Sequence, residues 1–454
     1  MAGTKRNIDM CNGSLFKSIV LFSVPLMLSG ILQLFFNAAD VVVVGKFAGD
    51  ESLAAVGATT TLINLLTNLF IGLSVGANVL VANYYGANQR RDVHETVHTA
   101  MTISAFCGIF LTVVGFFAAP FLLELMQTPD DVIDLSVIYL RTYFFGMPAV
   151  MIYNFGSAIL RAAGDTKRAL YILFASGVVN VCFNLVFVIA FHWGVFGVGL
   201  ATVISQVMSA ALIVVCLLRE KTDIRLEIKK LRIYTKKLLR IMQIGIPAGF
   251  QGMMFSLSNT VIQSSINSFG KVIVAASAAS VSVEGFAFTS MNAFHQAAVS
   301  FTSQNLGARK YERINKILSV SLLYVITVGL FFAVIFLTFG KNLIGFYTQS
   351  PDVVAEGVKR LTIIAISYFL CGMMDVTSGS LRGLGYSFTP MIVSLVGVCL
   401  FRVVWVATVF QYDAWHTVET IYYSYPISWV LTFAAHFVTF IIAKRRLKLK
   451  TQTA

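Results

Sequence analysis

Four charged side chains interrupt otherwise apolar stretches of this sequence: Asp40, Glu284, Asp375 and Arg402. Charge in such a setting is costly, so each is a candidate for chemistry. Burial disfavours the charged form of a carboxylate, which lets the group take up a proton near neutral pH. Being charged in one state and neutral in another is what a proton-coupled carrier needs. Gln33, Asn37 and Asp40 recur at i, i+4 and i+7 and share one helical face. Arg402 is the one base inside an apolar stretch and is expected to pair with Glu284 or Asp375, since an unpaired buried charge is destabilising. Such a pair serves either as a structural brace or as a second switch or substrate contact.

Apolar helices must carry these groups. Of the 454 residues, 57% are hydrophobic and 12% charged. A soluble domain carries about 25% charged residues and needs a polar shell, which excludes a soluble enzyme, a disordered chain and a nucleic-acid binder. A spanning helix takes about 20 mostly apolar residues. Twelve such stretches lie near 17–44, 53–84, 96–120, 134–159, 169–191, 195–218, 241–268, 272–303, 317–340, 357–380, 388–410 and 421–443. Runs such as 322–339 do not alternate as barrel strands do. The expected fold class is an all-α polytopic membrane protein of twelve transmembrane helices. Its first stretch contains Pro25 and Asp40 and is read as a retained helix rather than a cleaved signal peptide.

The net charge of +13 has a topological reading. With both termini cytoplasmic, 27 Lys and Arg fall on the inner side and six on the outer, Arg360 among the six; Arg402 lies within a helix. Basic loops face the cytoplasm, so no nucleic acid is called for. The six cysteines are scattered without a CxxC pair and read as small apolar fillers, not a disulfide framework or metal site.

The chain also repeats itself, its second half echoing the first at a nearly constant offset. Pro25 matches Pro247, Gly86-Ala87 matches Gly307-Ala308, Thr128-Pro129-Asp130 matches Ser350-Pro351-Asp352, and LRAAG at 160–164 matches LRGLG at 381–385. Six helices per repeat is an even number, so the halves share one orientation, as parallel repeats do. The expected divisions are an N-lobe over 1–218, a basic cytoplasmic linker over 219–240, a C-lobe over 241–443 and a basic tail over 444–454.

The order and spacing of these motifs resemble the multidrug and toxic compound extrusion (MATE) family. Helix 1 carries Pro25, Asp40 and Gly45, and the helix 4–5 loop reads LRAAGDTKR. Helices 5 and 6 carry Asn180, Asn184, Gly194, Gly197, Gly199, Thr202 and Gln206, and the second half carries QNLGA and LRGLG. The resemblance covers nearly the whole chain. It implies two six-helix lobes in a V and a secondary antiporter working by alternating access. An organic, cationic and amphipathic compound would leave in exchange for H⁺ or Na⁺. It also implies that Asp40 with Asn180, Asn184 and Thr202 forms the first-lobe ion site, although buried asparagines equally serve as helix–helix hydrogen bonds. Many relatives carry Asp where this chain has Asn184. One carboxylate makes a poorer Na⁺ cage than two and favours proton coupling. The sodium branch's acidic position in helix 7 has no acid here. Glu284, Asp375 and Arg402 make up the second-lobe charged network. Gln33, Asn37, Asn154, Gln206, Gln251, Met253, Met254 and Phe288 are the candidate cleft residues, the methionines for their adaptability. His295 reads as a hydrogen-bonded interior residue.

No phosphate loop, nucleophile elbow or zinc spacing occurs, so neither an enzyme nor a cofactor is expected beyond the coupling ion. The expected partners are a small organic substrate and the bilayer of the cell membrane, with the protein a monomer. A lipid-linked precursor flippase of the same superfamily is the alternative; it would favour a more basic central cleft. A membrane-embedded enzyme or a channel lacks the necessary motifs.

Overall fold

The computed structural model describes residues 7–126 and 128–452. Lys5 and Arg6 of the basic count, and the tail side chains from 447 onward, lie outside the described residues. Helices dominate: α1 (Leu15–Phe47), α2 (Asp50–Gly86), α3 (Arg90–Leu125), α4 (Asp130–Phe145), α5 (Met147–Ala162), α6 (Lys167–Leu185) and α7 (Gly194–Leu218), then α8 (Thr235–Asn267), α9 (Lys271–Gly307), α10 (Tyr311–Gly345), α11 (Pro351–Ala365), α12 (Tyr368–Gly383), α13 (Phe388–Ser394), α14 (Phe401–Ala407) and α15 (Val418–Gln452). A π-turn over Val186–Ala190 extends α6, and another over Leu395–Leu400 joins α13 to α14.

Each expected span finds a helix. Among the described residues nine are long and apolar enough to cross a membrane, or eleven when each of two bent pairs counts as one. The seventh stretch corresponds to α8, which is 33 residues long. Lys236, Lys237, Arg240 and several Ser, Gln and Asn residues dilute its apolar character.

The fourth and tenth spans depart from single rods. α4 and α5 bend by 46° and α11 and α12 by 47°. At the first bend Pro148 sits in the first turn of α5, where its missing N–H is harmless but the preceding helix cannot run on. At the second, Ser367 Oγ turns back onto the carbonyl of Ile364 at 3.1 Å, a contact that bends helices.

The turns display the duplication more clearly than the residues do. Gly49 and Gly270 both have φ 89°, Asn88 and Arg309 have 56° and 58°, and Gly164 and Gly385 have 89° and 86°. All three pairs share one spacing along the chain. The turns after α2 and α9 close in the same way, Gln89 N–H to Tyr84 O at 3.0 Å and Lys310 N–H to Asn305 O at 2.9 Å. The π-turns are not at equivalent places, so the halves differ along their site-bearing helices.

Two compact units result, one built on Leu28–Met253 and the other on Met10–Met27 with Met254 onward. Residues within α1 and α8 are therefore shared out between units. In each unit many Phe and Leu side chains point outward, as with Phe106, Phe110, Phe117 and Phe121 along α3 and Phe331 and Leu337 along α10. Small and polar residues turn inward, where Ser and Thr hydroxyls satisfy themselves on their own helix, as with Thr67 Oγ1 on Ile63 O at 2.7 Å. In hydrocarbon an apolar exterior costs nothing, and packing falls to small residues. Gly72 and Gly76 of α2 meet Gly245 and Gly249 of α8 in the first unit, so closely that a Cβ at any of the four would overlap backbone of the other helix.

Candidate functional site

The first unit gathers all four expected ion-site residues. α1 brings Asp40, α6 brings Asn180 and Asn184 one turn apart, and α7 brings Thr202. α1 approaches α6 closely because Gly177 leaves room for the Phe36 ring. Asn184 Nδ2 donates to Asp40 Oδ1 and lies 3.4 Å from Asn180 Oδ1. Asn180 Nδ2 donates in turn to Thr202 Oγ1 at 3.4 Å, and Thr202 Oγ1 donates to Val198 O at 3.0 Å. Among the described residues no cationic side chain lies within ion-pairing distance of Asp40. Asn184 Oδ1 is fully occluded without a hydrogen-bond donor among them. The cluster thus offers one carboxylate and several neutral oxygens to a proton or small cation.

Sequence reasoning misses Tyr139 and Tyr143 of α4. Both lie within the field of the Asp40 carboxylate, and Tyr143 is beside Gln206 of α7. Their i, i+4 spacing is the only available signal, and aromatic pairs at that spacing also occur on lipid faces.

The second unit corrects the expected pairing. Arg402 reaches neither Glu284 nor Asp375. Glu284 of α9 is paired with Arg360 of α11, Nε to Oε1 at 3.0 Å and Nη2 to Oε2 at 3.4 Å. Arg360 Nη1 also donates to Ser277 Oγ at 2.9 Å, and its guanidinium lies 5.0 Å from the Tyr422 ring. An apolar stretch beginning near 357 makes Arg360 an outer-loop charge; α11 itself starts at Pro351, which places Arg360 well inside a helix and 2% exposed. Asp375 accepts His295 Nδ1 at its backbone carbonyl, 2.7 Å away, and lies in the field of Arg382. His295 is the interior hydrogen-bonded residue expected. Arg402 Nε donates to Ser428 Oγ at 3.1 Å and its guanidinium stacks on Tyr425, 4.0 Å from the ring centroid.

The remaining candidates divide between the units. Gln33 and Asn37 are exposed on α1, and Gln206 is half-buried on α7. Asn154 donates back to Val150 O at 2.9 Å on its own helix. Gln251 is buried and Met253 half-buried in the first unit; Met254 is half-buried and Phe288 exposed in the second.

A family model described as MatE matches this chain twice, over residues 25–186 and 247–408. The chain belongs to the MatE family. The two matches begin at Pro25 and Pro247, the first matched pair of the repeat. Among curated relatives, the probable multidrug resistance protein YoeA of Bacillus subtilis is 27% identical over 393 residues, 85% of each chain. The probable multidrug resistance protein NorM of Thermotoga maritima is 23% identical over 84% of this chain and 83% of its own. The multidrug export protein MepA of Staphylococcus saprophyticus is 20% identical over 87% of each. A solved MATE transporter of the MOP superfamily, described as outward-facing, superposes with a TM-score of 0.90 at 21% identity, over 99% of this chain and 100% of that one. A MATE structure in a bent conformation gives 0.88 over 100% and 99%. This chain therefore has the all-helical, twice-repeated architecture of MatE transporters.

Proposed function

We propose that this MatE chain is a secondary antiporter that exports organic, cationic and amphipathic compounds in exchange for an inward proton by alternating access. The reading places it in the cell membrane with both termini cytoplasmic. One observation carries it: the Asp40 carboxylate has a neutral amide rather than a cation as its partner, and Asn184 Oδ1 beside it lacks a donor among the described residues. A carboxylate so placed gains by accepting a proton in one state and releasing it in another. Sodium is the second choice, because a hard cation is held better by several charged oxygens and this cluster has one. The relatives' names, multidrug resistance and multidrug export, support the substrate class.

Protonation of Asp40 would loosen its tie to Asn184 and change the packing of α1, whose interior Pro25 is a natural place to flex. Ion and substrate must then weaken each other's binding reciprocally. Proteoliposomes carrying the parent or Asp40→Asn, with imposed pH or Na⁺ gradients and ethidium as substrate, test this. The parent is expected to move ethidium against its gradient when pH is the driving force, and the variant to lose that dependence. Undiminished proton-driven transport by Asp40→Asn would sink the proposal.

A further inference from the structure

The second unit holds a guanidinium that proton coupling leaves unassigned. Arg402 is 4% exposed. Among the described residues its only hydrogen bond is from Nε to Ser428 Oγ at 3.1 Å. No carboxylate among the described residues lies within ion-pairing distance of it. Neither terminal nitrogen donates to any described residue, and neither is fully occluded. One flat side is covered by Tyr425, 4.0 Å to the centroid, and Trp429 stands at 5.8 Å. Stacking on a ring recovers only part of the hydration that a buried charge gives up. The carboxylate of Glu284 is already committed to Arg360. Arg402 is thus a fixed positive charge in an aromatic wall, with two donors to spare.

The repeat supplies a second, independent observation. Asn180 of the first-unit cluster and Arg402 stand one position further apart than the paired turn residues Gly164 and Gly385. The π-turn over Leu395–Leu400 directly precedes Arg402, and such a turn accommodates one added residue. Where the first unit offers oxygens to a cation, the second presents a cation at the equivalent place.

We infer that Arg402, with Ser428, Tyr425 and Trp429, forms a subsite for the carboxylate of an aromatic anion or zwitterion. The two free guanidinium nitrogens match the paired oxygens of a carboxylate, and the neighbouring Tyr425 and Trp429 rings make aromatic surroundings that suit an attached ring. The claim concerns binding at this subsite, which equilibrium titration reads without any imposed gradient.

The test uses the full chain in nanodiscs of zwitterionic lipid, titrated calorimetrically with 1-naphthoate, with 1-naphthylmethylammonium and with sulfate. The parent is expected to bind 1-naphthoate saturably, with sulfate a poor competitor. Arg402→Gln should weaken naphthoate binding roughly ten- to a hundredfold and leave the ammonium probe unchanged. Arg402→Lys should retain part of the affinity, because its charge remains but the fork is lost. Arg402→Gln should unfold no earlier than the parent on heating, since it removes an uncompensated charge. Trp429→Leu gives a second variant, expected to weaken naphthoate more than sulfate. The inference is overturned if the parent does not bind naphthoate, if Arg402→Gln binds it as well as the parent, if sulfate competes equally, or if both probes are lost together.

Discussion

The Glu284–Arg360 pair makes a quantitative prediction. Its members are 7% and 2% exposed, and two hydrogen bonds join them while a third ties Arg360 to Ser277. Removing one member of such a pair leaves the other charge buried and uncompensated, at a cost of about 3–5 kcal/mol. Replacing both with apolar residues of similar volume is often neutral. Glu284→Leu and Arg360→Met are each expected to destabilise by about 3–5 kcal/mol. Independent sites would make the double variant roughly 6–10 kcal/mol worse than the parent. The geometry predicts instead a double variant within about 2 kcal/mol of the parent, and so a coupling of several kcal/mol. Unfolding of the purified full chain along a graded SDS series, followed by circular dichroism, ranks the four proteins. Additivity within about 0.5 kcal/mol would refute the reasoning. If the pair is a brace rather than a switch, the double variant keeps gradient-driven ethidium efflux, and loss of efflux in a well-folded double variant would assign the pair a transport role.

Three other sites give shorter predictions. Gly72→Ala drives a methyl into the backbone of Gly249 and should lower stability by about 1–3 kcal/mol; Gly57→Ala, with open space around it, should be neutral or slightly stabilising in the same SDS series. Asn184→Asp sets a second carboxylate against Asp40, and its repulsion is relieved by a cation; Na⁺ should therefore raise the variant's thermal midpoint more than the parent's, and equal shifts would argue against a shared cluster. In the linker, partial burial alone would raise the Glu220 carboxyl, but Arg168 Nη2, 2.6 Å away, holds it below the ordinary glutamate value. That stability is present above about pH 4.3 and is lost as pH falls through the lowered value. Arg168→Gln should cost stability at pH 7 and progressively less as pH drops below about 4.3, measured as the difference in thermal midpoint from the parent; a difference that grows on acidification would contradict the sign.

Hydropathy and offset are enough to read the spans and the repeat, because long apolar runs have few other uses and because a duplicated turn keeps its glycine. Asp40, Asn180, Asn184 and Thr202 are readable for a related reason: each is a polar residue where polarity is expensive. The bends are less visible. Pro148 marks one, but Ser367 looks like any other helical serine until its hydroxyl is seen on Ile364. Tyr139 and Tyr143 are hidden by their chemistry, since an aromatic residue in an apolar stretch suits lipid and interior alike. Arg360 is misplaced by geometry: an apolar window locates the hydrocarbon-like part of a helix, whereas α11 begins a further turn and a half away. The glycine pairs of α2 and α8 stand in plain view at i, i+4, but nothing in either helix alone names the other as its neighbour.

That glycine crossing sets an order of events in synthesis. The first unit uses Gly245 and Gly249, so the Gly72–Gly76 face of α2 lacks its packing partner when α7 has emerged. It must wait through the basic linker until residues up to Met253 have left the ribosome, a few seconds at roughly 5–20 residues per second. During that interval the small-residue face of α2 is open to other partners. A polypeptide cut within the linker would leave the first fragment permanently in that state, and supplying the second fragment separately would turn a local folding step into a search.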